Sequence, residues 1–150
     1  LDSVQADSGA QYGYTGPAEG RRATSAVGLL SRMYLGWKHD NPALQRGVAL
    51  FDKSGPSKSD MYYNYYATQC CRHFEGEIWE RWNNRMRDWL VDSQDKDGVK
   101  TGSWWMGHGG HANTRGGRLY TTAMATMMLE VYYRHLPIYQ KNAAEEEFAL

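Results

Sequence analysis

Apolar residues along the chain fall into five helical segments separated by Gly, Pro, Asn and Ser. The first, roughly Ala23 to Trp37, carries Ala26, Val27, Leu29, Leu30, Met33, Tyr34 and Trp37, a set too broad for one stripe. Asn41-Pro42 opens the second, with proline at a favourable first-turn position. Leu44, Val48 and Phe51 there fall at i, i+4 and i+7, a narrow stripe ended by Ser54-Gly55-Pro56. The third, roughly Ser59 to Phe74, is apolar most of the way round and holds Tyr62, Tyr63, Tyr65 and Tyr66. The fourth, roughly Glu77 to Val91, returns to one face: Ile78, Trp79, Trp82, Met86, Trp89 and Leu90. The fifth, Leu119 to Leu136, is apolar nearly all round and stops at Pro137.

The pattern therefore alternates broad, narrow, broad, narrow, broad. A helix apolar on every side is buried, and one with a single stripe lies on the surface. The expected fold is all-α, with αα-hairpins in two layers, odd helices inside and even ones outside. An internal repeat points the same way. Gln5-x3-Gly9-x3-Gly13-Tyr14 returns as Gln94-x3-Gly98-x3-Gly102-Ser103-Trp104, and Gly20-Arg21-x-x-Thr24-Ser25-Ala26 as Gly117-Arg118-x-x-Thr121-Thr122-Ala123. The segment from Lys53 to Asp60 reads as a degenerate middle copy. Glycines let the chain reverse between an outer helix and the next inner one, and the small Thr/Ser-Ala steps let inner helices approach closely.

Composition narrows the function classes. Seventeen basic and seventeen acidic residues cancel, which leaves no field to attract nucleic acid or anionic lipid. No run approaches the ~18 consecutive apolar residues of a membrane span. Cys70 and Cys71 are the only cysteines, so neither a disulfide framework nor a four-cysteine zinc site is expected. As helix neighbours they point about 100° apart, which disfavours a mutual bond. Eleven Tyr and six Trp against three Phe suit large packing surfaces or a lined cavity.

Gln94-x3-Gly98 followed by Gly102-Ser103-Trp104 resembles the Gln-Trp repeat of squalene–hopene and oxidosqualene cyclases, with four residues inserted before the tryptophan. Tyr65-Tyr66-Ala67-Thr68-Gln69, Gly117-Arg118-Leu119-Tyr120-Thr121-Thr122-Ala123 and Leu129-Glu130-Val131-Tyr132-Tyr133-Arg134 are similar to segments of bacterial squalene-cyclase/prenyltransferase-repeat proteins. The resemblance covers residues 1–139 and implies an α/α toroid, six αα-hairpins in a ring around a cavity, with residues 140–150 a charged C-terminal tail. The cyclases' Asp-x-Asp-Asp motif is absent here, as is the thioester domains' Gly-Cys-Gly-Glu-Gln run, and the prenyltransferases' zinc ligands have no match.

Candidate sites follow from residue chemistry. Tyr62, Tyr63, Tyr65, Tyr66, Trp104, Trp105 and Tyr120 are the ligand-binding group: ring faces lining a cavity stabilise a carbocation or stack on an apolar ligand. The competing reading packs the same rings between hairpins. Asp60 is the one catalytic candidate, as an acid in a buried cavity, against the alternative that it caps the third helix. His108 and His111, three apart in a Gly-rich loop, are the metal candidates, though no third ligand is placed. The same glycines, with Arg115 and Arg118 adding charge, suit a phosphate cradle, but no strand–loop–helix pattern supports a nucleotide motif. Asp95-x-Asp97-Gly98 fails as a calcium loop because Trp104 stands where the final glutamate belongs.

Two functional expectations result, and neither requires a cofactor. One is a cyclase- or prenyltransferase-like segment that binds or converts an apolar isoprenoid-type small molecule. The other is a non-catalytic interaction module, in an extracytoplasmic or membrane-peripheral assembly. Leu1 aligns with the foot of an outer helix, so the chain reads as two and a half hairpins of a larger ring, completed by the missing half, a partner subunit or a second copy.

Overall fold

The computed structural model describes residues 1–108 and 111–134, with backbone alone at 111, 112, 132 and 134. Its order is β1 (Gln5–Ala6), β2 (Gln11–Tyr12), α1 (Arg22–Tyr34), α2 (Pro42–Ser54), α3 (Met61–Phe74), α4 (Gly76–Ser93), α5 (His111–Leu129) and α6 (Val131–Arg134). The two short strands pair antiparallel, Gln5 opposite Tyr12. The all-α expectation holds for the described residues apart from this ribbon.

Each helix ends for a local reason. Asn41 caps α2 by accepting from the Ala43 and Leu44 amides at 2.9 and 3.2 Å, with Pro42 supplying a first residue that needs no donor. Asp60 caps α3, its carboxylate accepting from Tyr63 N–H at 2.9 Å. Helix α1 stops at Tyr34 rather than running to Trp37, because Gly36 turns the chain at φ +97°.

Helix α3 packs on α1 along one flank and on α5 along the other, while α2 and α4 pack on each other and on α3. The inner row is thus α1–α3–α5, with α2 and α4 behind it. The burial pattern explains why. Helix α2 buries Ala43, Leu44, Gly47, Val48 and Phe51, and α4 buries Trp79, Trp82, Met86 and Leu90, single stripes with polar backs. Helix α3 buries nine of its fourteen residues because it is covered on three sides. Trp82 is fully buried and donates its indole N–H to Thr68 Oγ1 at 2.9 Å, which fixes α4 against α3. Outside, Asp52 on α2 accepts from Arg81 (2.8 Å) and Arg85 (2.7 Å) on α4. These exposed pairs contribute at most about 1 kcal/mol each. Two glycines set the spacing. A Cβ at Gly47 would stand 2.3 Å from Leu29 Cδ1, and one at Gly28 would stand 2.4 Å from Tyr12 Cγ, so both sites hold backbone against a neighbour.

One hydrogen-bond device recurs wherever a connector enters the inner row. Tyr12 donates its N–H to Ser25 Oγ (3.0 Å) and accepts from Thr24 Oγ1 at its carbonyl (2.6 Å). Trp104 donates to Thr122 Oγ1 (3.1 Å) and accepts from Thr121 Oγ1 (2.5 Å). At α3 a single side chain does both: Asn64 accepts from Ser57 N–H and donates to Ser57 C=O, each at 2.7 Å. A left-handed glycine precedes the pair in two cases, Gly20 (φ +72°) and Gly117 (φ +63°). Tyr12, and not the exposed Tyr14, is therefore the residue that shares Trp104's bonding.

The fifth helix differs from expectation. It begins at His111 inside the stretch read as loop, turns at Gly117, and ends at Leu129. Asn113 is buried and donates to Ser59 C=O at 2.8 Å, a tertiary tie that holds the glycine-rich turn helical. Residues 135–136 and the tail at 140–150 lie outside the described residues.

Asn64→Leu removes both bonds to Ser57 and strands a buried joint; it is expected to lower unfolding free energy by about 2–4 kcal/mol in urea titrations. A loss below ~1 kcal/mol would show that the joint contributes little.

Candidate functional site

The tyrosines of α3 divide by helical angle. Tyr63 turns inward and is fully buried, edge-on to Phe51 (6.0 Å) and Trp82 (5.9 Å), with its hydroxyl donating to Gly55 C=O and the Arg22 guanidinium 4.9 Å above its ring. Tyr62, Tyr65 and Tyr66 turn the other way. The Tyr62 and Tyr66 rings lie 4.8 Å apart, and Tyr65 and Tyr66 meet edge to face at 5.1 Å. Further along the same edge, Tyr34 of α1 stands T-shaped to the buried His73, its hydroxyl 3.3 Å from Nε2. These side chains form a continuous aromatic edge on the α1–α3 side of the inner row.

Tyr120 of α5 joins this edge from the opposite flank. It is close enough to Asp60 and Tyr66 for both charges to push its phenol pKa up, after burial, the first cause. Its hydroxyl is buried with no hydrogen-bond partner among the described residues. Burial also raises the pKa values of Tyr34 and Tyr66, the latter helped by the Tyr62 hydroxyl. The edge therefore presents phenol rings that are apolar on their faces and hydrogen-bonding at their tips.

The remaining predicted residues lie elsewhere. Trp104 is buried and donates its indole N–H to Leu90 C=O at 2.7 Å, as a core anchor between α4 and α5. Trp105 stands half-buried in the following loop, 5.2 Å from the His108 ring. His108 is exposed, and its carbonyl accepts from Thr114. His111 opens α5, its side chain lying outside the described residues. No group of three or more His, Cys, Asp or Glu that could hold a metal occurs among the described residues. Asp60 has one carboxylate oxygen committed to its cap.

Two cavities were not foreseen. An open polar cleft of about 500 Å³ lies between the N-terminal turns, α1 and α2. Its Arg32 pairs with Asp2, donates to Tyr12 Oη (3.1 Å) and stacks over Trp37 at 5.0 Å. The hydrogen bond from Arg32 holds the Asp2 carboxyl below its usual range. Arg46 binds the Asp7 carbonyl at 3.0 Å, bracing two left-handed residues, Asp7 and Ser8. The cleft's cations thus brace the N-terminal turns. The second cavity, about 320 Å³ and largely apolar, adjoins Tyr12, Val27, Gly28 and Tyr62. The one sequence signal for it was a glycine in the middle of α1.

No protein-family model, curated protein or solved structure matches the chain.

The Tyr120 hydroxyl makes no hydrogen bond among the described residues. Tyr120→Phe is expected to leave thermal unfolding unchanged or to raise stability by up to ~1 kcal/mol; a clear loss would reveal a partner. Cys70 and Cys71 are fully buried, and burial pushes both thiols well up. A disulfide reagent at pH 8 should label neither thiol until denaturant is added, and fast labelling of the native protein would contradict this burial.

Proposed function

We propose that this chain is a segment of a squalene-cyclase/prenyltransferase-repeat-like scaffold of α/α-toroid type, and that its aromatic edge binds an apolar, isoprenoid-type ligand. The observation that carries the reading is the edge itself: Tyr62, Tyr65 and Tyr66 stacked on one side of α3, flanked by Tyr34 and by the unpaired hydroxyl of Tyr120. A folded protein gains more by burying such rings than by lining them along an edge. The recurring joint at Tyr12, Ser57 and Trp104 supports the hairpin-repeat part of the proposal. Binding is proposed here, and conversion of the ligand is not.

A second reading, a non-catalytic interaction module, draws support from the outward flank of α5 and α6, where Leu119 is 82% and Tyr133 92% exposed. Large apolar side chains in that position suit a contact with a partner chain.

Farnesol titrated into the full chain and followed by tyrosine chemical shifts should perturb Tyr62, Tyr65, Tyr66 and Tyr120 together. Tyr66→Ala should weaken binding about tenfold, the worth of one well-placed ring contact. Absence of saturable binding, with concentration-dependent association abolished by Leu119→Glu, would replace the ligand reading with the interaction module.

A further inference from the structure

The joint at Tyr12 leaves a hollow beside it. Tyr12 lies against bare helix backbone at Gly28, where even a methyl group would collide with the ring. The residue is held at three points: its N–H by Ser25, its carbonyl by Thr24 and its hydroxyl by Arg32. A floor held this way does not swing to fill an adjoining space, so the cavity of about 320 Å³ beside it is preformed. Val4, Gly13 and Val27 form its walls; Leu1, Tyr14 and Tyr62 form its rim. Tyr14 is 85% and Tyr62 38% exposed, the Tyr62 ring leaning on Tyr66 at 4.8 Å.

The lining contains Leu, Val, Tyr, Thr and Gly, and no Asp, Glu, Lys, Arg or His among the described residues. Its one aliphatic hydroxyl, on Thr24, is already bonded to the Tyr12 carbonyl. A charged ligand entering here would shed water with no charged side chain of the lining to meet it. A flat uncharged one would lie on the Tyr12 floor with ring faces available at the rim, the offset and edge contacts that aromatic groups favour.

We infer that this cavity is a subsite for a small, neutral, planar apolar molecule, with Tyr12 as its floor and Tyr14 and Tyr62 closing on it. The inference rests on the reading that the chain holds an apolar ligand, since Tyr62 belongs to both surfaces. It adds the ligand's charge and shape, and it puts the ligand's ring against α1 and β2.

Two dyes test it on the full chain. N-phenyl-1-naphthylamine and 8-anilino-1-naphthalenesulfonate share their ring system and differ by a sulfonate. The neutral dye should saturate a single class of site by fluorescence, and the sulfonate should bind at least about tenfold more weakly. Val27→Phe, which fills the cavity from α1, should weaken the neutral dye about tenfold with an unchanged thermal melt. Tyr14→Ala, at an exposed rim position, should weaken it about threefold. Equal affinity for the two dyes, or indifference to both substitutions, overturns the subsite. Loss of dye binding in Tyr66→Ala with none in Val27→Phe also overturns it, yet upholds the aromatic edge. Failure of both readings has its own signature: neither farnesol nor the neutral dye saturates.

Discussion

A connector that enters the inner row must have its peptide N–H and C=O paired wherever packing keeps water from them. Everything else in the fold depends on this joint. Ser25 and Thr24 meet it at Tyr12, Asn64 at Ser57, and Thr122 and Thr121 at Trp104. The pairing side chains belong to the first turn of α1, the first turn of α3 and the first turn of α5 after its break at Gly117, so each joint sets which face its helix turns to its neighbour. From that register follow the burial of Tyr63 and the exposure of Tyr62, one residue and about 100° apart. The aromatic edge is therefore a by-product of how α3 is pinned at Ser57.

The alternation of broad and narrow apolar patterns was legible because burial on one side and burial on several sides leave different periodicities. Helices α2 and α4 kept their single stripes, and α3 its wide one. The start of α5 was illegible for a compositional reason. Glycines on either side of Asn113 read as loop, while the turn is tied to Ser59, fifty-four residues away in the chain, by the Asn113 side chain. The candidate ligand residues divided for a related reason. Tyr62 and Tyr66 share a face at i and i+4, which sequence can say, but whether that face meets solvent or core depends on the pinning of the helix. Trp104 looked like a lining residue and is an anchor, since its indole N–H reaches Leu90 C=O across the turn. The apolar cavity had almost no signature, because Gly28 acquires its meaning only when Tyr12, a residue outside its helix, lies down on it.

Chemically, the molecule separates its roles by layer. Charge resides at the periphery, where Asp52 gathers Arg81 and Arg85 and Arg32 collects Asp2. The interior holds two thiols and a histidine, Cys70 bonded to the Ala26 carbonyl and His73 to Tyr34. Between them lies the phenolic edge, amphipathic in character. A surface of this kind recognises shape and polarizability before charge, which suits an uncharged ligand better than an ionic one.

The three joints also carry an order of assembly. Asn64 reaches Ser57 across seven positions, Ser25 reaches Tyr12 across thirteen, and Thr122 reaches Trp104 across eighteen. Loop-closure entropy rises with the length of chain enclosed, so the middle joint closes most cheaply and the last one at the greatest cost. Helix α3 carries the shortest of these closures and packs on both α1 and α5. Chain growth through such short-range closures keeps the contact order low. Each joint spans fewer residues than separate the first and last of them, so it forms within one connector and the helix that follows.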